Sequence, residues 1–398
     1  MLAGISGMGA VYLQELLDGP AAASSRIVGG VDPEPGRCPR LQDLHSLGVP
    51  IFPTLEEFYA SRGADLAIVS SPHQFHAHQT CLALAKGSHA LCEKPAAGTI
   101  QEVRRMIAAE RESGRHAAVG YQWSFSPAIT ALKNDILQGR FGRPRRLKCL
   151  YLWPRDEAYY RRNDWAGKKR DAAGAWILDS PAQNSMGHDL HNMFYVLGEA
   201  TSLSAMPVEV EAELYRTYDI ENYDTAMMRA RTGGGVEILL YATHVPREEK
   251  GPVLCCEFEK GIVRCESRTS GIWAELADGT RQDYGIPDAE PMAKLREMIR
   301  CVRTGEPPRC GVEAASAQTL CINGMQDSMP EIRDFPAGLK HVLEDESSPR
   351  RLWVEGLDDV LKTCYAANRL PSEMGIAWSA RGRRIKLGTQ YSFPKLGD

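Results

Sequence analysis

A glycine-rich turn near the amino terminus constrains the fold of this chain more than any other feature. Gly4, Gly7 and Gly9 follow a short apolar run and precede an amphipathic helix. Residues without a Cβ let the main chain turn tightly and approach a pyrophosphate, while the helix presents its amino terminus to the phosphates. Gly4, Gly7, Met8 and Gly9 are therefore candidate dinucleotide-binding residues. Glycine also serves ordinary turns, and Tyr12 replaces the third glycine of the usual pattern.

The rest of the first 123 residues repeats the same alternation of apolar runs and helices. Strands are predicted at 3–6, 26–31, 66–70, 90–92 and 117–120, and helices at 11–17, 54–61, 76–86 and 100–113. Strands that alternate with helices usually pair in parallel. We predict a doubly wound Rossmann domain over residues 1–123.

After residue 123 the pattern changes to successive strands with short turns. Helices are predicted at 128–138, 185–197, 293–304 and 312–328, and strands at 146–152, 209–216, 225–231, 235–243, 253–257 and 261–266. This order predicts an α/β domain over residues 124–398 with a largely antiparallel open sheet. The polar segment 330–350 is expected to be a surface excursion without chemistry.

Asp32 ends the second predicted strand, where a carboxylate can accept hydrogen bonds from ribose hydroxyls and repel a 2′-phosphate. This favours NAD over NADP. Alternatively, Asp32 only forms a turn, and Arg37 or Arg40 accommodates the phosphate.

Composition excludes several classes of protein. The net charge of −4, with 47 basic and 51 acidic residues, provides no basic field for nucleic acid. No apolar run approaches the ~20 residues of a membrane span, and the amino terminus does not resemble a signal peptide, so we expect a cytoplasmic protein without a membrane partner. The 11 cysteines are scattered and contain no CxxC pair, which indicates reduced thiols.

Two further motifs, Ser70-Ser-Pro-His73-Gln-Phe-His76 and Glu93-Lys94-Pro95, resemble the Gfo/Idh/MocA family of oxidoreductases. The family's hallmark is a Glu-Lys-Pro tripeptide at the carboxyl end of a Rossmann strand. The resemblance extends to about residue 330, and it implies homodimers or homotetramers. It also implies cofactor contacts from Ser71, Pro72, His73, His76, Glu93, Lys94 and Gln122.

The resemblance also implies a catalytic pair. Lys94 is expected to donate to a substrate oxygen and stabilise developing negative charge. His188 matches the family's acid/base histidine, whereas Asn184 occupies the position of the usual aspartate. Asn184 lacks the charge that favours an imidazolium, and Asp179 compensates only where the Ser-Pro turn folds it back.

His191 shares a helical face with His188 and is either a substrate contact, a rival base or a packed side chain. His188, Asp189 and His191 could be combined as a zinc site, but adjacent residues point in different directions and the chemistry needs no metal. We predict no metal site.

The segment from residue 153 to 167 is dense in aromatic and hydrogen-bonding groups, which suits a sugar. The predicted substrate contacts are Trp123, Arg155, Tyr160, Asn163, Trp165, Asn184 and His191. An oligomer contact is the alternative for this segment. Trp123 and Ser124 stand where arginines are often found in the family, which disfavours an anionic substrate.

The predicted activity is hydride transfer between NAD and a secondary alcohol carbon of a sugar, cyclitol or related polyol. Two alternatives remain open. One is a glycosidase or lyase that oxidises a sugar transiently, and the other is a nucleotide-dependent sensor without turnover.

Overall fold

The computed structural model describes residues 1–345 and 348–395. Contacts within the chain divide it into two compact units. The first contains Met1–Ser126 and Glu290–Ser316, and the second contains Pro127–Ala289 and the residues from Ala317 onward.

The first unit is built on a six-stranded parallel sheet. Its strands are β1 (Leu2–Ala3), β2 (Gly30–Val31), β3 (Ile51–Phe52), β4 (Leu66–Val69), β5 (His89–Cys92) and β6 (Ala117–Val119), in the spatial order β3-β2-β1-β4-β5-β6. Its connecting helices are α1 (Met8–Leu17), α2 (Leu41–Ser46), α3 (Leu55–Ser61), α4 (His76–Ala85) and α5 (Ile100–Ser113). This confirms the predicted doubly wound sheet.

Local sequence explains where these helices begin and end. Thr99 caps α5 with a reciprocal pair of hydrogen bonds to Glu102, and Gly114 ends the helix in the left-handed conformation. Strand β3 was not predicted, because its two residues stand between Pro50 and Pro53 and show no periodicity.

The second unit contains a ten-stranded mixed sheet and a separate hairpin. The remaining strands of the chain are β7 (Pro144–Leu152), β8 (Pro207–Arg216), β9 (Thr225–Thr232), β10 (Glu237–Thr243), β11 (Lys250–Phe258), β12 (Gly261–Cys265), β13 (Ile272–Leu276), β14 (Arg281–Gly285), β15 (Arg333–Asp334), β16 (Lys340–Asp345), β17 (Ser348–Val354) and β18 (Ile385–Lys386). The order is β14-β13-β12-β11-β7-β10-β9-β8-β15, with β18 also paired to β8 and with β16 and β17 forming the hairpin. Most neighbours are antiparallel, as predicted, while β7 with β10 and β8 with β15 are parallel.

The helices that follow residue 126 are α6 (Pro127–Leu137), α7 (Glu157–Arg161), α8 (Gly187–Tyr195), α9 (Ala293–Thr304), α10 (Val312–Ser328) and α11 (Leu357–Ala367). The bounds of α9 and α10 agree with the predicted helices. The predicted helix 185–197 starts later, because Pro181–Ser185 forms a π-helical turn before α8.

Two regions differ from the sequence prediction. The segment 290–316 lies in the first unit, where α9 packs against β5, whereas a single boundary after residue 123 would have placed it in the second. The buried residues Leu295, Met298 and Cys301 give α9 the apolar face that this packing needs. The segment 330–350, predicted as a surface excursion, contains β15 and most of the hairpin, which were not predicted; its residues 346 and 347 lie outside the described residues.

Candidate functional site

The glycine turn has the close main-chain packing that its sequence predicts. Gly4 and Gly7 have positive φ angles of 81° and 53°. A Cβ at Gly9 would lie 2.1 Å from the carbonyl oxygen of Gly4, and a Cβ at Gly4 would lie 2.8 Å from the backbone of Ser70. The turn therefore accepts no side chain at Gly4 or Gly9. It leads into α1, whose first residue, Met8, is half-buried.

Asp32 follows β2 and holds this turn. One carboxylate oxygen accepts a hydrogen bond from the backbone N–H of Ile5 at 3.1 Å, and the other accepts from the N–H of Glu34 at 2.9 Å. The arginines considered as partners of a 2′-phosphate are both in ion pairs, Arg37 with Glu34 and Arg40 with Asp18. Both interpretations of Asp32 therefore remain compatible with its geometry, since it forms a turn and also lies beside the glycines.

The turn after β4 is tied to the turn after β5 through His76. The side chain of His76 is fully buried, and its two ring nitrogens lie 2.7 Å from the carbonyl oxygen of Pro95 and 2.9 Å from that of Ser71. Burial lowers the pKa of His76, although both hydrogen bonds oppose that shift. The buried His76 ring therefore holds the two loops together and is not exposed at their surface. His73 is also buried, while Pro72 is exposed and Ser71 donates to Gln79 at 2.6 Å.

Glu93 lies in a buried network that sequence reasoning missed. Its carboxylate accepts hydrogen bonds from the Tyr12 hydroxyl at 2.6 Å, from the Lys294 ammonium on α9, and from the backbone N–H of Lys94 at 3.2 Å. Burial alone would raise the pKa of Glu93, but the charge and hydrogen bond of Lys294, together with the Tyr12 hydrogen bond and the Lys94 charge, outweigh it and lower that pKa. Tyr12, at the position of the missing third glycine, thus has a defined partner. Lys94 itself is half-buried and precedes a cis peptide bond to Pro95.

Gln122 and Trp123 lie in the turn Gln122–Phe125 that follows β6. Gln122 is half-buried, and Trp123 is only 1% exposed. Little of the Trp123 side chain is therefore available to a ligand within its own unit.

In the second unit, the π-helical turn presents Asn184. The Asn184 side-chain N–H donates to Asp179 at 2.8 Å, and the other carboxylate oxygen of Asp179 accepts from the backbone N–H of Gly167 at 2.7 Å. The Ser-Pro turn therefore folds Asp179 back onto Asn184, which supplies the carboxylate that Asn184 lacks. π-Helical turns are rare and frequently occur at functional sites.

His188 and His191 lie on α8 and are both buried, with exposures of 8% and 0%. The His191 ring stacks on Tyr195 with 5.6 Å between ring centroids. Burial, reinforced by the nearby Lys133 charge, lowers the pKa of His191 to about 3. This environment is that of a packed side chain, one of the interpretations left open for His191.

The aromatic segment after β7 is connected to the same turn. The hydroxyl of Tyr160 is 2.8 Å from Nδ1 of His244, and Nε2 of His244 is 2.6 Å from the hydroxyl of Ser185. His244 is fully buried, which lowers its pKa well below the usual range. Asn163 accepts hydrogen bonds from the backbone N–H groups of Trp165 and Ala166, so its side chain shapes the loop.

The predicted residues fall into two groups, one in each unit. The first unit brings together Gly4, Gly7, Met8, Gly9, Asp32, Ser71, Pro72, His73, His76, Glu93, Lys94, Gln122 and Trp123. The second contains Arg155, Tyr160, Asn163, Trp165, Asn184, His188 and His191. The contacts that the sequence did not reveal are those of Tyr12, Lys294 and His244, which are distant in sequence from their partners. Lys294 and His244 also belong to no motif.

Within residues 1–345 and 348–395, no group of three or more His, Cys, Asp or Glu side chains is arranged to hold a metal ion. Over the same part of the chain, no helix is both long enough and apolar enough to span a bilayer. The cysteines are free thiols, and all except Cys81 are buried.

Comparison with known proteins gives matches to two parts of one family. Residues 1–121 match the model described as "Oxidoreductase family, NAD-binding Rossmann fold", and residues 129–264 match "GFO/IDH/MocA C-terminal domain". Together these two regions cover more than half of the chain.

Among curated proteins, the chain is 31% identical over 149 residues to a 1,5-anhydro-D-fructose reductase of Ensifer adhaerens. That match covers 37% of this chain and spans only 41% of the length of the reductase. An inositol 2-dehydrogenase of Burkholderia ambifaria is 26% identical over 345 residues, which cover 82% of this chain and 95% of that protein.

Among solved structures, the WlbA dehydrogenase from Bordetella pertussis, in complex with NADH and UDP-GlcNAcA, superposes with a TM-score of 0.67. It is 21% identical, and the match covers 83% of this chain and 95% of that chain. At this identity the likeness establishes a shared fold.

Proposed function

This chain belongs to the Gfo/Idh/MocA family of oxidoreductases, and we propose that it is an NAD-dependent dehydrogenase acting on a secondary alcohol carbon of a sugar, cyclitol or related polyol. One observation carries the proposal. Gly4, Asp32 and Glu93 directly follow the carboxyl ends of β1, β2 and β5, so the glycine turn, the carboxylate and the Lys94 turn share one edge of a parallel sheet. Ligands of open α/β sheets bind at that edge.

The first unit would fit a bound dinucleotide at this turn: the main chain at Gly4 and Gly9 packs too closely to accept a Cβ, while a Cβ at Gly7 would meet no described atom within 4 Å, so the backbone there is open to a ligand. NAD, when bound, supplies the acceptor for the hydride. Gly4, Gly7, Met8 and Gly9 would surround the pyrophosphate, and Asp32 would accept from the ribose hydroxyls. Ser71, His73 and Gln122 would line the same edge.

The chain's own residues would handle the proton and the charge. Lys94 donates to the substrate oxygen and stabilises the developing alkoxide, while His188 takes the hydroxyl proton. Asn184, held by Asp179, orients the hydroxyl. Tyr160, Trp165 and Arg155 contribute the aromatic and polar surface for the substrate.

A panel of sugars and cyclitols, assayed for reduction of NAD, tests this proposal. A dehydrogenase accumulates NADH in proportion to product. A glycosidase or lyase that oxidises its substrate transiently forms product without accumulating NADH, and a sensor forms neither product nor NADH. The names of the curated relatives, a reductase and a dehydrogenase, support net turnover.

We further propose that the protein is cytoplasmic, forms a homodimer or homotetramer, and binds neither nucleic acid nor membrane. Light scattering after size-exclusion chromatography measures the oligomeric state. A monomer across micromolar concentrations would contradict this part of the proposal.

A further inference from the structure

Aromatic rings and guanidinium groups alternate along the segment after β7. The Arg155 guanidinium lies 3.6 Å from the ring centroid of Trp153 and 4.8 Å from that of Tyr159. On the far side, the Arg162 guanidinium lies 3.6 Å from Tyr159 and 5.0 Å from Trp165. We call this row, residues 153, 155, 159, 162 and 165, the Arg155 ladder. Stacking on a ring face fixes the orientation of a guanidinium without using its in-plane N–H groups.

Arg155 is the half-buried cation in this ladder, and no described carboxylate forms an ion pair with it. Its Nε is buried and has no hydrogen-bond partner among the described residues. Burial lowers the pKa of Arg155, and the side chains that oppose this shift are the neighbouring tyrosines 159, 151 and 160 rather than a carboxylate. Arg268, by contrast, also stands near Trp153 but lies 3.9 Å from Asp189 and 3.7 Å from Asp288.

A guanidinium with a buried Nε and no counter-charge is costly, and folded proteins normally pair such a group. The aromatic rings beside Arg155 compensate only part of that cost. A planar guanidinium fork is suited to an oxyanion, which it can hold with two parallel hydrogen bonds. The missing partner of Arg155 therefore has the chemistry of a carboxylate or phosphate.

The ladder is continuous with the turn that carries Asn184. The backbone N–H of Arg155 donates to the carbonyl of His244 at 2.9 Å, and the His244 ring reaches Ser185 at 2.6 Å. Ser185 is the neighbour of Asn184 in the π-helical turn. An anion held by Arg155 would thus be attached to a molecule close to the proposed reaction site.

We propose that the substrate of this enzyme carries a carboxylate or phosphate group and that Arg155 binds it. This inference rests on the proposed dehydrogenase function and names its substrate class. It reverses the expectation of a neutral substrate drawn from Trp123 and Ser124, because the positive charge comes from the second unit instead.

Three probes of matched ring structure test the inference by calorimetric titration into the NADH-loaded protein: D-glucose, D-glucuronate and D-glucose 6-phosphate. We expect at least one anionic probe to bind roughly tenfold to a hundredfold more tightly than glucose, the range of a charge-assisted hydrogen bond. The tighter of the two anionic probes identifies a carboxylate or a phosphate as the group recognised. In Arg155→Gln this preference should disappear, and in Arg155→Lys part of it should remain.

Arg161→Gln is the matched control. It removes the same charge from the same segment, but Arg161 is exposed and pairs with Glu157 at 3.0 Å, so the preference should persist. Equal binding of all three probes, binding of neither anionic probe, or a preference retained in Arg155→Gln would each overturn the inference. If Arg155→Gln does not fold, Arg155→Lys takes its place. The ratio of anionic-probe affinity to glucose affinity should then be lower in Arg155→Lys than in the wild type, and an unchanged ratio would overturn the inference.

Turnover measured in parallel separates this inference from the proposed function. NADH formation without any anionic preference would support the dehydrogenase and contradict the role of Arg155. Anion binding that depends on Arg155, without NADH formation from any member of the wider panel, would support the role of Arg155 and contradict the proposed dehydrogenase function.

Discussion

Lys94 is half-exposed although its neighbours Glu93 and Pro95 are both buried. A side chain that is exposed between two buried neighbours is suited to catalysis more than to folding. We expect Lys94→Ala to lower kcat by about 10²-fold or more, since a preorganised charged donor is lost. The melting temperature and NAD affinity should change little. Steady-state kinetics measure kcat, and calorimetry measures the melting temperature and the NAD affinity. Unchanged turnover would remove Lys94 from the mechanism.

Asp179 accepts a hydrogen bond from Asn184, so a carboxylate lies beside the position of the usual aspartate, and this bears on how the proposed base His188 is expected to titrate. If His188 is the base, kcat/KM for oxidation falls at low pH as the imidazole is protonated, and His188→Ala abolishes this acidic limb with most of the activity. A nearby negative charge favours the imidazolium. Asp179→Asn should therefore move the acidic limb to lower pH, which a pH–rate profile records.

Asn184→Asp would place a second carboxylate beside Asp179, where like charges favour retention of a proton. Asn184→Asp should therefore move the acidic limb of the pH–rate profile to higher pH by less than a new carboxylate would without Asp179 beside it. An acidic limb that is identical in Asp179→Asn and wild type would exclude electrostatic coupling between Asp179 and the base.

His191 should affect stability through its titration rather than through catalysis. Its pKa of about 3 lies below the ordinary 6.5, so the unfolded chain binds the extra proton first as pH falls. The folded state loses stability from about pH 6.5 downward until pH approaches 3, by roughly 2 kcal/mol at pH 5. His191→Phe should reduce the change in unfolding free energy between pH 7.5 and pH 5 by about that amount in urea titrations, while buried His244 still contributes a change of the same sign.

The same substitution tests the rival assignment of the base. We expect His191→Phe to leave the acidic limb of kcat/KM in place. Loss of that limb, with only weakened substrate binding in His188→Ala, would show that the two histidines have exchanged roles.

At the scale of elements, Lys294 joins α9 to α1 and to the turn after β5. Lys294 and Tyr12 both donate to the buried carboxylate of Glu93. Lys294→Met would leave that charge unpaired, so we expect a loss of about 3–5 kcal/mol in unfolding free energy. Lys294→Met combined with Glu93→Gln should recover much of it, because no charge then stays buried. Denaturant unfolding measures the two variants, and a double variant as unstable as the single one would rule out this pairing.

Sequence patterns were sufficient for most elements and insufficient where tertiary contacts decide. Helices α9 and α10 have clear periodicity and were predicted with the observed bounds. Strands β13 and β14 were missed. Strand β14 alternates exposed and half-buried residues and has almost no apolar face, and β13 has only two buried positions, Ile272 and Ala274. The π-helical turn before α8 depends on Asp179 and Ser180 folding back, which residue spacing does not encode.

The candidate site divides in the same way. The glycine turn and Glu93-Lys94-Pro95 are local motifs, so the sequence identified them. The partner of Glu93 lies 201 positions away on α9, and the two ends of the Ser185–His244 contact are 59 positions apart. Such pairs exist only once the chain has folded, which is why residue types alone did not indicate them.

At the scale of the whole molecule, α11 covers apolar surface on the second unit's sheet. Leu357, Leu361 and Cys364 of α11 lie in one buried cluster with Leu150 and Tyr241 of the sheet. This part of the sheet is therefore covered by the chain itself, and a homo-oligomer would need a different surface.

Leu361→Ala should cost about 2–5 kcal/mol of unfolding free energy, as is typical for a buried leucine truncated in a packed core. Thr363→Ala, on the exposed side of the same helix, is the control and should stay within about 0.5 kcal/mol. Equal stability of the two variants in guanidinium titrations would show that α11 contributes little to the core.

The two main-chain hydrogen bonds that Asp32 accepts bear on how readily the coenzyme preference of this enzyme could evolve. A substitution that admits a phosphorylated dinucleotide must remove a negative charge, yet the same oxygens hold Ile5 and Glu34 in place. Asp32→Ser should narrow the preference for NAD while loosening the glycine turn, so affinity for both coenzymes should fall at first. An evolutionary path toward NADP would then require a compensating change in the loop before, or together with, the exchange at position 32.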